Sequence, residues 1–162
     1  MLSSEDIVHW FLTHGADPNA WCSHACTGTT EAARSASLSV LKLLVSHGGS
    51  VVSTDAVAQA VSGHVLGFPG RLEVMEYILD NGAPIDAYRF AYSGAEAPSL
   101  IDLFGLETGL QLAARGGKTD MVELLLRRGA DKTLKGGFRT KGETAMEIAI
   151  ASGFTDIVTL LK

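Results

Sequence analysis

Cysteine is scarce and sites for asparagine-linked glycosylation are missing: Cys22 and Cys26 are the only two cysteines in 162 residues, and no Asn-x-Ser/Thr occurs. That usage points to an intracellular protein, cytoplasmic or nuclear, with reduced thiols. No apolar run approaches the ~20 residues that cross a bilayer, so no membrane role is expected. Met1-Leu2-Ser3-Ser4-Glu5-Asp6 lacks the basic and apolar regions of a secretion signal. A basic excess is lacking as well: the net charge is −5 and the pI about 5.5, which argues against a nucleic-acid binder relying on overall charge. With four prolines, 46% hydrophobic and 19% charged residues, the chain is neither collagenous nor disordered. Its length suits one domain or one short solenoid.

What is present is a recurring phrase, an apolar helical run followed by glycine and a small residue. It reads Ile7-Val8-His9-Trp10-Phe11-Leu12 to Gly15-Ala16, then Val40-Leu41-Lys42-Leu43-Leu44-Val45 to Gly48-Gly49. It returns as Val74-Met75-Glu76-Tyr77-Ile78-Leu79 to Gly82-Ala83, and as Met121-Val122-Glu123-Leu124-Leu125-Leu126 to Gly129-Ala130. The first three glycines lie 33 and 34 residues apart and the last step is 47, so one period carries an insertion. Each run makes one buried helical face, and the glycine can take the left-handed conformation that closes a helix. Shorter helices with small centres precede the complete runs: Glu31-Ala32-Ala33-Arg34, Ala58-Gln59-Ala60-Val61, Leu112-Ala113-Ala114-Arg115 and Ile148-Ala149-Ile150-Ala151. Thr27, Asp55, Thr108 and Thr144 fall at their N-cap positions.

Thr108-Gly109-Leu110-Gln111-Leu112-Ala113-Ala114-Arg115-Gly116-Gly117, with Met121 to Leu126 and Gly129-Ala130-Asp131, resembles an ankyrin repeat. Gly142 to Ala149 and Gly153-Phe154 begin another. The resemblance implies an all-α solenoid of stacked helix-turn-helix units with projecting β-turn or hairpin fingers. A single domain over 1–162 is expected: a partial repeat over 5–26, repeats over about 27–53, 54–86 and 108–141, and a partial repeat over 142–162. Insertions are expected at 63–70, read as a loop, and at 87–107, read as a long finger. The family's Pro is here Gly28, Ala56, Gly109 and Ala145, and its His is Thr30, Ala58, Gln111 and Glu147. Weaker capping and weaker bonding between repeats are the expected consequence.

The chain opens and closes on second helices. Ile7, Val8, Trp10, Phe11 and Leu12 are expected to bury one face, and the open ends suggest further repeats or self-association.

Specific chemistry is thin. Cys22-Ser23-His24-Ala25-Cys26 holds three potential metal ligands but no fourth, so a finger with free thiols is expected and no metal site. Cys22 and His24 lack an orienting acid and an oxyanion donor, so no catalytic residues and no cofactor are expected. His14 and His47 sit at helix C-termini, a structural position. Arg127, Arg128, Lys132, Lys135, Arg139 and Lys141 form a basic cluster around Phe138, either a solvated face or a patch for an acidic partner.

Ankyrin proteins typically bind partners on the concave surface of fingers and first helices, so the resemblance implies a protein-binding module or scaffold with no enzymatic activity. Carried over by position, the exposed inner pairs are Arg34-Ser35, Ser62-Gly63, Arg115-Gly116 and Ala151-Ser152. The candidate partner-binding residues are Trp21, Arg34, Tyr88, Arg89, Tyr92, Arg115, Phe138 and Arg139; Trp, Tyr and Arg most often dominate interface energy. The alternative is a small-ligand or catalytic pocket between the two insertions, lined by His64, Phe68, Tyr88 and Tyr92.

Overall fold

The computed structural model describes residues 3–21, 26–52, 55–89, 107–136 and 142–162. Among them are nine helices: α1 Ser4–Thr13, α2 Gly28–Ser35, α3 Leu38–Ser46, α4 Ala56–Val65, α5 Arg71–Asp80, α6 Gly109–Arg115, α7 Thr119–Arg127, α8 Ala145–Ser152 and α9 Thr155–Leu161. They stand in two rows. The inner row is α2, α4, α6 and α8, each packed on the next; the outer row is α1, α3, α5, α7 and α9.

The inner helices begin where a hydroxyl can satisfy orphan amides. Thr27, Thr108 and Thr144 each accept from the amide three residues on, and the side chains of Thr30, Gln111 and Glu147 accept in return from the threonine amides. Gln111 does more: its Nε2 donates to Leu134 O at 3.1 Å and to Glu143 O at 2.8 Å, tying α6 to the next finger. The residues standing in for the family's His therefore supply three capping boxes, and one supplies bonds between repeats, contrary to the weakening expected from sequence. Gly109 replaces the Pro where α6 lies against Val57; even a Cβ there would be 2.8 Å from Val57 Cγ1. Asp55 stands at the expected N-cap position of α4 but makes no side-chain capping bond. Its carboxylate accepts instead from Gln59 Nε2 at 3.0 Å, inside the stack.

The outer helices close as the periodicity predicts. At Gly48 and Gly129 φ is +90°, and the next amide, Gly49 or Ala130, reaches back to Leu44 O or Leu125 O at 2.9 and 3.0 Å. Between the rows lie Leu41, Met75, Ile78, Met121 and Leu125, all fully buried. Each such side chain stabilises the fold by roughly 1.5–3 kcal/mol. The exposed ion pairs of the outer face, at ~0–1 kcal/mol each, are minor beside them.

Two boundaries differ from expectation. The segment 63–70 is not all loop: α4 continues through Val65, and only 66–70 turn back toward α5. Gly63 is accordingly buried rather than exposed, because α4 passes so close to the end of α2 that a Cβ would lie 1.9 Å from Arg34 O. On α1, only Val8 and Leu12 pack inward; Ile7, Trp10 and Phe11 are exposed. Trp10 stacks on His14, whose Nδ1 donates to Trp10 O at 2.7 Å, so this histidine closes the helix by a hydrogen bond.

Among the described residues three antiparallel bridges form finger stems: Trp21 with Thr27, Tyr88 with Thr108, and Gly136 with Glu143. At the first, Cys26 is disulfide-bonded, and the sequence's one other cysteine, Cys22, lies outside the described residues. This corrects the expectation of free thiols. The Trp21–Thr27 bridge draws the flanks of the loop together, the closeness a disulfide requires. Among the described residues no helix is long and apolar enough to cross a membrane.

Candidate interaction surface

The C-terminal ends of α2, α4 and α6 carry the side chains that matter most, because the finger stems bring Arg89 and Glu107 beside them. Arg34 ends α2. Its Nε and Nη2 donate to Glu31 at 3.0 and 2.6 Å, and its guanidinium lies 6.0 Å from the Phe68 ring centroid, within cation–π reach. Arg115 ends α6. Its Nε and Nη2 donate to Glu107 Oε1 at 2.8 and 2.5 Å.

The two partners of that last pair are not equally buried. The Arg115 side chain is 42% exposed, whereas that of Glu107 is 5% exposed. Arg89 has Asp55 and Glu107 as its nearest acidic influences, and Asp55 is also buried. Burial lowers the Arg89 guanidinium below its ordinary value, against the raising pull of those two carboxylates. The layering is therefore acids beneath and guanidinium groups above. A groove of about 310 Å³ opens there, lined by Ser62, Val65, Leu66, Arg89, Leu112, Arg115 and Gly116.

Among the residues expected from sequence to bind a partner, Arg34, Arg89 and Arg115 come together at the ends of the inner helices. Trp21 stands apart on the first finger stem, 55% exposed. Tyr88 is committed to the stack: it bridges Thr108, and its hydroxyl donates to Lys135 O at 3.0 Å. Tyr92, Phe138 and Arg139 lie outside the described residues, as do His24, Phe90 and Lys141.

The alternative pocket gains little from this arrangement. His64 is on α4, not on a loop, and its Nε2 meets Asp120 at 3.0 and 3.1 Å, across to the start of α7. Tyr88 is turned to Lys135, so two of the four residues expected to line a pocket are bonded elsewhere. Among the described residues no group of three His, Cys, Asp or Glu is arranged to hold a metal ion.

Two members of the basic cluster expected around the last finger are paired elsewhere, and Arg139 and Lys141 lie outside the described residues. Arg127 and Arg128 both engage Glu76, and Arg128 reaches Asp80 at 2.6 Å, so this pair is neutralised by α5 on the outer face. Sequence spacing could not show it, since the acids lie about fifty residues upstream. The roles of Glu107, Val65 and Leu66 were likewise invisible in the sequence. Nothing local marks a glutamate as the buried half of a pair, or a helix-end leucine as exposed.

The His64–Asp120 contact has a consequence in acid. Burial works to raise the Asp120 carboxyl, but hydrogen bonds from His64 and the Met121 amide outweigh it and hold the group below its usual 3.8. A carboxylate depressed in the folded state contributes stability above its unfolded pKa, and that contribution disappears as pH falls through the folded value. Asp120→Asn is expected to cost up to about 1 kcal/mol at neutral pH, the range for exposed pairs. The gap from the parent protein is expected to close on acidification below 3.8. Urea midpoints of both proteins across that range check it, and a gap that persists in acid contradicts it.

The family model described as ankyrin repeats matches the chain in three copies over residues 70–162. No curated protein matches significantly.

Proposed function

The chain belongs to the ankyrin-repeat family, and from that premise we propose that it is a protein-interaction module whose partner docks on the concave side, across the ends of α2, α4 and α6 and the finger stems. Ankyrin repeats are in general protein-interaction modules rather than enzymes. The observation that carries this reading is the contrast between the two faces. On the outer face, the charges of Arg127, Arg128, Glu76 and Asp80 satisfy one another. On the concave side, Arg115 faces solvent above its buried acid, next to exposed Val65 and Leu66. Arg beside exposed apolar surface is the make-up of an interface centre.

The test is affinity capture from native lysate with three proteins: the parent, a concave variant carrying Trp21→Ala and Arg34→Ala, and an outer-face variant carrying Arg127→Ala. Recovery of bound protein is expected to fall about tenfold for the concave variant, as when interface anchors are truncated. The outer-face variant is expected to match the parent. Full recovery by the concave variant together with loss by the outer-face variant contradicts the reading.

A second contact is proposed at α1, where Trp10 and Phe11 are each 55% exposed. Burying such rings is favourable, and a second copy of the chain can supply the cover. Sedimentation equilibrium is expected to show a concentration-dependent dimer that Trp10→Ser abolishes. A monomer at every concentration rules the contact out.

A further inference from the structure

The groove between the ends of α4 and α6 has a composition more specific than a general docking surface. We propose that it binds an extended peptide segment in which a carboxylate side chain neighbours a bulky apolar one. The inference rests on the concave-face reading and narrows it to one chemistry.

The charged residues that line the groove, Arg89 and Arg115, are both cations. The acids that balance them, Asp55 and Glu107, are buried beneath: Asp55 is 5% exposed and the Glu107 side chain 5%. A partner approaching from solvent therefore meets positive charge. A guanidinium carries five N–H donors in a planar fork suited to a carboxylate, and Glu107 takes two of those on Arg115.

The remaining wall is apolar. Val65 is 40% and Leu66 67% exposed, and half-buried Leu112 joins them in the lining. Gly116, also in the lining, leaves room for Val65: a Cβ there would meet Val65 Cγ2 at 2.5 Å. The apolar surface then continues over Gly117, where a Cβ would lie 2.6 Å from the Phe154 ring. That run joins the end of α4 to the turn between α8 and α9, crossing three helix pairs. A surface of that extent suits an extended chain with side chains spaced along it, better than one compact molecule. The apolar side chain settles on Val65, Leu66 and Leu112, and the carboxylate reaches Arg115 and Arg89.

The test uses fluorescein-labelled, end-capped hexapeptides of four kinds, alternating Glu with Leu, Gln with Leu, Glu with Ser, and Lys with Leu, with binding read by fluorescence anisotropy. Only the Glu–Leu peptide is expected to bind well. The Gln–Leu and Glu–Ser peptides are expected to be about tenfold weaker or more, since each lacks one half of the recognition. Raised salt is expected to weaken the Glu–Leu complex.

Leu66→Asp places a like charge in the groove at an exposed position, so folding is retained, which the melting temperature verifies. It is expected to reduce Glu–Leu affinity about tenfold or more. Glu–Leu binding that is absent up to about 1 mM, or unchanged by Leu66→Asp, overturns the inference. So does a Lys–Leu peptide that binds equally well, and so does octanoate that displaces the Glu–Leu peptide at equal concentration, which assigns the groove to a small carboxylic acid. The broader reading stands or falls separately, on whether Trp21→Ala with Arg34→Ala releases the captured partner.

Discussion

Replacing Arg71 by methionine is expected to lower the free energy of unfolding by about 3–5 kcal/mol, the loss found when buried groups are stripped of a charged partner. Arg71 is only 2% exposed although it is charged. Its guanidinium donates to Pro69 O at 3.0 Å, to Ala32 O at 3.2 Å, to Ala33 O at 2.6 Å and to Ala36 O. The last three are carbonyls at the C-terminal end of α2, the negative end of that helix and the place where orphan acceptors lie. One side chain from the start of α5 thus closes a helix of the preceding pair and fixes the spacing between them. Burial lowers the Arg71 pKa, with the Glu73 carboxylate pulling it back up.

Methionine fills similar volume without donors, so it isolates the loss of hydrogen bonds from the loss of packing. Arg71→Lys keeps the charge but not the fork, and an intermediate loss is expected. Urea unfolding at neutral pH measures both. A methionine variant within about 1 kcal/mol of the parent, the size of an ordinary surface change, contradicts this role.

Gly63→Ala is expected to cost about 3 kcal/mol or more, at the upper end for overpacking. Intrinsic propensity predicts the opposite sign, a gain of about 1 kcal/mol for alanine over glycine inside a helix. Packing decides the matter. The added Cβ would lie 1.9 Å from Arg34 O and 2.9 Å from Arg34 C, backbone atoms that move only if α2 and α4 separate. It would also stand 3.1 Å from Arg71 Cδ, so it disturbs the side chain that closes α2. The double variant Gly63→Ala, Arg71→Met is therefore expected to lose less than the two single losses combined, as neighbours sharing one contact do. Thermal melts of the three variants test sign and coupling together. A Gly63→Ala protein more stable than its parent would contradict the close approach of α4 to the end of α2.

Those two residues mark the boundary of what was legible in the sequence. The helix pairs, their order and their terminal glycines could be read because they depend on local signals: threonine caps, apolar spacing, and Gly followed by a small residue. Gly63 looked like the start of a loop, since glycine and a later proline break helices on average. It is helical because the contact that favours glycine there comes from Arg34, on another helix. Arg71 gave no signal at all, its acceptors on α2 lying 35–39 residues away.

The same holds for the candidate site. Arg34 and Arg115 were found by position within the repeat and Arg89 as a finger residue, but Glu107 and Leu66 needed the packed stack to reveal which was buried and which exposed. Tyr88 was chosen for its residue type, and the structure commits its hydroxyl to Lys135 O. The thiol expectation failed for a related reason, because two cysteines in a short loop say nothing about how the loop's flanks are held. With Cys26 bonded, cysteine usage no longer supports an intracellular setting.

Hydrogen–deuterium exchange of the chain with and without its captured partner tests the concave-face assignment most directly. Added protection is predicted at the C-terminal ends of α2, α4 and α6 and at the stems around Trp21 and Arg89, with α3, α5 and α7 unchanged. Protection confined to α3, α5 and α7 would contradict it.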